Sequence, residues 1–111
     1  MAIRLNPRDG GSLLRLAWLR STAASAETRN GKQAVSLALK LNRALQGSDP
    51  TVWDTLAAAQ AETGDYDNTV RSARQALELC KDDRPELAEQ IGLRLRLYEQ
   101  RKPYREKEQT Q

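Results

Sequence analysis

At 111 residues the chain is long enough for one domain with a modest core. Hydrophobic residues make up 39%, there are only six Gly and four Pro, and Ala, Leu, Glu, Gln, Lys and Arg dominate; this favours a helical chain, while the absence of His and a single cysteine, Cys80, exclude the commonest general base, an internal disulfide and a cysteine-based zinc site. The net charge of +3 is local, with eight basic against two acidic residues in 1–46, two against six in 47–80 and eight against seven in 81–111, which suits an electrostatically matched protein partner better than a stripe that tracks phosphates.

Turn and cap signals at Asn6-Pro7, Asn30-Gly31, Gly47-Ser48-Asp49-Pro50, Thr63-Gly64-Asp65, Asp82-Asp83-Arg84-Pro85 and Lys102-Pro103 cut the chain into five predicted helices. The first, about 11–24, places Leu13, Leu16, Ala17, Leu19 and Arg20 at spacings of three and four. The second, about 31–46, carries Ala34, Leu37, Ala38, Leu41 and Leu45 on one stripe, with Lys40 and Arg43 facing out. Asp49 is a natural N-cap and Pro50 a natural first helical residue for the third, which runs through Trp53, Leu56, Ala57 and Ala61 to Gly64. The fourth, about 66–80, uses Val70, Ala73, Ala76, Leu77 and Cys80. The fifth, about 85–101, shows Leu87, Ala88, Ile91, Leu95 and Tyr98 before Pro103 stops it. No period-two alternation survives for five residues, so no strand is expected.

The third and fourth helices share a spacing: Trp53-x-x-Leu56-Ala57-x-x-Gln60-x-x-x-Gly64-Asp65-Tyr66, then Thr69-x-x-x-Ala73-x-x-Ala76-Leu77. This resembles a tetratricopeptide repeat, with Gln60 in place of a Tyr, Thr69 of an Ala, Ala73 of a Phe and Lys81 of the closing Pro. Small residues at Ala57, Ala73 and Ala76 let two helices approach closely, while Trp53 and Leu56 fill the wedge beside them. Leu13-x-x-Leu16-Ala17 and Ala34-x-x-x-Ala38-x-x-Leu41 repeat the scheme more loosely, with a longer turn from Thr22 to Lys32. The resemblance implies an all-α, tetratricopeptide-like solenoid of antiparallel helix pairs, similar to the C-terminal repeat region of a larger bacterial protein. Its parts are a remnant of a preceding repeat (1–9), a degenerate pair (10–47), a repeat (48–83), a capping helix (84–104) with Arg94, Arg96, Arg101 and Lys102 keeping its outer side wet, and a polar tail (105–111).

In this family the stripe beside the packing face of each first helix lines a concave groove. Here it carries Leu14, Trp18 and Ser21, then Asp54, Ala58 and Ala61, then Glu89, Leu93 and Arg96, with acidic help from Glu62. Trp18 has two readings: a binding anchor, or a side chain that packs against residues 1–8 or against a repeat absent from this chain. Family members that clamp a chaperone carboxylate carry Lys and Asn where this chain has Leu14 and Trp18, so that clamp is not expected.

No catalytic residue, metal or cofactor is implied. Asp49, Asp54, Glu62, Asp65 and Asp67 do not make paired or loop-forming spacings, and caps account for Asp49 and Asp65. Cys80 lies one turn after Ala76 and reads as a small hydrophobe. The expected role is therefore a non-catalytic scaffold that binds a peptide or protein, the rivals being a docking segment of a larger enzyme and a basic helical module for nucleic acid. The last is disfavoured because Glu99, Glu106 and Glu108 interrupt the basic run from Arg94 to Lys107. Charge and Pro7 in the first eight residues, and the lack of an apolar run of roughly 18 residues, point to a cytoplasmic chain or a soluble piece of something larger, with no membrane partner. The first helix offers Leu13, Leu14, Leu16, Trp18 and Leu19 to a single partner helix, and a homo-oligomer through this N-terminal edge is expected.

Overall fold

The computed structural model describes residues 10–80 and 83–106. These form five helices: α1 (Gly10–Thr22), α2 (Gly31–Ala44), α3 (Pro50–Glu62), α4 (Tyr66–Cys80) and α5 (Pro85–Glu99). No strand occurs among the described residues. The remnant assigned to 1–9, Lys81 and most of the tail lie outside them.

Local chemistry sets the helix ends. The Asp49 side chain accepts from Thr51 N–H at 2.8 Å and Pro50 opens α3. Asn30 does the same for α2, accepting from Gln33 N–H at 3.1 Å. Asp65 directly precedes α4, where its carbonyl accepts the Thr69 N–H at 3.0 Å while its carboxylate takes the Asn68 side-chain amide at 2.7 Å. At the other ends, α2, α3 and α5 close with paired reverse hydrogen bonds: Gly47 N–H to Asn42 O at 2.9 Å, Asp65 N–H to Gln60 O at 2.9 Å and Lys102 N–H to Leu97 O at 3.0 Å. These turns place Gln46, Gly64 and Arg101 in left-handed backbone, at φ of 55°, 84° and 58°. The last lies beyond the fifth helix, so the chain reverses there before Pro103 is reached.

The long connection after α1 is pinned by two arginines. Arg20 donates to Thr28 O at 2.8 Å, and Arg29 donates to Ala23 O at 2.6 Å and Ala24 O at 3.0 Å. Both bond to backbone carbonyls that no helix satisfies.

Each helix packs on the next in the chain, and α1 also lies on α3. The core sits among α3, α4 and α5, where Ala57, Ala61, Ala73, Ala76, Cys80, Ile91 and Tyr98 form one buried cluster. Small side chains from α3 and α4 bring those helices together, and Ile91 and Tyr98 supply bulk from α5. Two side-chain bonds tie the α3–α4 seam: Thr69 Oγ1 donates to Ala57 O at 3.1 Å and Ser72 Oγ to Gln60 Oε1 at 2.7 Å. Thr69 and Gln60, two departures from the repeat pattern, are thus both hydrogen-bonded within the seam.

The start of α2 touches the end of α3 at Gly31. A Cβ there would meet Thr63 Cγ2 at 2.8 Å and Glu62 Cγ at 3.0 Å and Cβ at 3.2 Å. Gly31→Ala is therefore expected to lower stability by about 1–2 kcal/mol through overpacking, as read from the urea midpoint. An unchanged midpoint would mean that α2 and α3 move apart freely.

Candidate functional site

The side chains with the most unusual environment come from α1, α3, α5 and the segment after it. Asp54 lies in a run of α3 where nearly every residue from Val52 to Ala61 is buried, and it is itself 3% exposed. A carboxylate so placed requires a partner of opposite charge. Arg94 of α5 supplies it, with Nε to Oδ1 at 3.2 Å and a second guanidinium nitrogen to Oδ2 at 2.7 Å. Burial pushes the Asp54 carboxyl above its ordinary value, and the charge and hydrogen bonds of Arg94 only partly pull it back.

Arg94 is 9% exposed, which corrects the expectation that it keeps the outer side of α5 wet. Its position explains the burial. Ile91, Arg94 and Tyr98 are spaced three and four apart, and all three lie on the buried face of the helix. Arg96, Arg101 and Lys102 are exposed as expected.

The faces of the guanidinium are covered by aromatic rings. Arg94 Cζ lies 5.0 Å from the Trp18 ring centroid and 5.2 Å from that of Tyr104, and the two rings are 5.7 Å apart at an interplanar angle of 41°. Trp18 Nε1 donates to Glu106 Oε1 at 2.8 Å, and the Glu106 backbone N–H donates to Thr22 O at 2.7 Å. Trp18 is therefore half-buried by this chain's own C-terminal residues, a cover that neither of its two readings named. The first helix has more cover than a single partner helix: α2, α3 and residues 104–106 all reach it.

Beside this cluster opens a cleft of about 740 Å³, lined by α1, α3, α5 and the returning segment. Leu14, Trp18, Asp54 and Leu93 of the anticipated groove meet here, joined by Thr51, Thr55, Leu87 and Gln90. Leu93 is 57% exposed, the most exposed large hydrophobic residue described. Ser21, Ala58 and Ala61 do not line the cleft; all three are buried, with Ser21 Oγ donating to Ala17 O at 2.7 Å within α1 and Ala61 in the core that α3 shares with α4 and α5. Glu89 and Arg96 are exposed and do not line it either. Glu62 lies between two arginines, with Arg105 at 2.7 Å and Arg29 at 3.3 Å. A second cleft of about 560 Å³, lined by Leu13, Leu41, Leu45 and Val52 among others, flanks the start of α1.

Cys80 is fully buried, and burial pushes its thiol up, away from the thiolate that a nucleophile needs. Among the described residues no three Cys, Asp or Glu side chains converge as metal ligands, and no helix is long and apolar enough to cross a membrane. Arg94, Tyr104 and Glu106 are the site residues that sequence reasoning missed. The spacing of Arg94 between Ile91 and Tyr98 carried a signal, but nothing in the sequence marked Tyr104 and Glu106 as partners of Trp18. Compared with known proteins, the chain matches no family model, no curated protein and no solved structure.

Proposed function

We propose that the chain is a non-catalytic helical repeat module of tetratricopeptide type that binds a protein or peptide in the cleft between α1, α3 and α5. The observation that carries this reading is the composition of the cleft. Its helical lining comes from α1, α3 and α5 alone, the first helices of the two anticipated pairs and the anticipated capping helix, with no residue of α2 or α4. Direct packing of α1 on α3 supports the repeat reading further, while Arg94 reaches across from α5 to α3 to extend the same surface. Leu14, Leu87 and Leu93 give the cleft an apolar lining, and Thr51 and Gln90 add hydrogen-bonding groups, a mixture suited to a peptide. Nucleic acid is a weaker reading, because Arg29, Arg94 and Arg105 are already engaged by Glu62 and Asp54.

Selection of displayed random peptides on the intact chain tests the proposal. Binders are expected to lose at least about tenfold in affinity on Leu93→Asp, since a charge on the cleft wall removes apolar contact, and to be indifferent to Leu19→Asp outside the cleft. Binders that ignore Leu93→Asp, or a selection that yields none, would remove the reading.

A further inference from the structure

The segment that follows α5 lies across the Trp18 end of the cleft. The left-handed turn at Arg101 reverses the chain, and Pro103 cannot extend the helix. Tyr104 then lies against the platform made by Trp18 and Arg94. Glu106 accepts the Trp18 indole N–H and bonds through its main chain to the last turn of α1. Between them, Arg105 reaches Glu62 at the end of α3. These are the contacts of a short peptide on a receptor: an aromatic ring on a cationic and aromatic surface, a carboxylate on an indole donor, and a main-chain bond that fixes direction. The residues contacted belong to α1, α3 and the Arg94 side chain, so a segment from another molecule can make the same set.

We infer that the Trp18–Arg94 platform is a seat for an aromatic-x-acidic peptide segment, occupied in this chain by Tyr104-Arg105-Glu106, and that a partner peptide of the same pattern binds by displacing this strap. The inference rests on the peptide-binding reading of the cleft. A tethered occupant acts at an effective concentration on the order of millimolar, so the strap keeps weak peptides out and sets the affinity a partner must exceed.

The test uses the intact chain and a synthetic peptide, acetyl-Lys-Pro-Tyr-Arg-Glu-amide, with the Trp18 indole N–H followed by NMR and assigned through Trp18→Phe. In the chain carrying Tyr104→Ala and Glu106→Ala, the indole signal is expected to shift towards that of a solvated indole. Added peptide should return it along a saturable curve, and the wild-type chain should need at least about tenfold more peptide for the same effect. A control peptide with Ala in place of Tyr and Glu should leave the signal where it is. Circular dichroism checks that the double variant keeps its helicity; if it does not, Glu106→Ala alone serves, being at the exposed end of the strap. An indole signal that does not move on opening, or a peptide that fails to bind the opened chain, overturns the inference. If peptides from the display selection bind wild-type and opened chains equally and are not displaced by the synthetic peptide, the strap inference falls and the binding cleft stands. If neither kind of peptide binds, both fall.

Discussion

Arg94→Ala and Asp54→Ala are each expected to lower unfolding free energy by about 3–5 kcal/mol, because either change strands a buried charge. For a domain of this size that is a large share of a total near 5–15 kcal/mol, and partial unfolding at room temperature is an acceptable outcome. The more informative variant is the double one. Asp54→Val with Arg94→Met removes both charges and keeps apolar bulk against Trp18 and Tyr104, and it should lie within about 1–2 kcal/mol of wild type. The raised pKa of Asp54 supports this, since burial outweighs the help from Arg94 and the ionised pair is held at a cost in desolvation. Urea melts of wild type, Asp54→Val, Arg94→Met and the double variant check it. A double variant as damaged as the singles would mean that the guanidinium stack on Trp18 and Tyr104, rather than the ion pair, holds α1, α3 and α5 together.

Tyr98→Ala should cost a similar amount, about 3–5 kcal/mol, since among the described residues Tyr98 is the largest fully buried side chain and its removal leaves a cavity under α5. Tyr98→Phe should behave in the opposite way. Among the described residues the buried Tyr98 hydroxyl has no hydrogen-bond partner, so deleting it is expected to be neutral or to stabilise by about 1 kcal/mol. Burial, with the nearby Asp54 carboxylate, also pushes the phenol well above its ordinary value of 10.0. The folded chain therefore keeps a proton that the unfolded chain releases above that value, and wild-type stability must fall as pH rises through the alkaline range. Tyr98→Phe should show a shallower alkaline loss in thermal melts; an identical slope would place the Tyr98 hydroxyl in contact with solvent.

The helices are legible in the residue order alone, because most of their ends are written in residues that act within one turn. Asp49-Pro50 and Asn30 cap through their own side chains, and Gly47 and Gly64 mark stops that a single segment enforces, whereas α5 ends at the Arg101 turn ahead of the expected stop at Pro103. The stripe of Ala57, Ala73 and Ala76 likewise identified the α3–α4 seam, since small residues at helical spacing have few other uses. Which charges and rings meet is fixed by packing instead. Arg94 looked solvated because one helix alone does not show that its neighbour holds a buried carboxylate, and Asp54 lies 40 residues away. Trp18 and Glu106 are 88 residues apart, and their bond depends on how α1, α3 and α5 stack and on a left-handed turn at Arg101, a residue type that does not announce such a turn. Caps and periodicity are local energies that a short segment expresses alone, whereas the pairing of a buried charge depends on the positions of several helices at once and is fixed only when they pack.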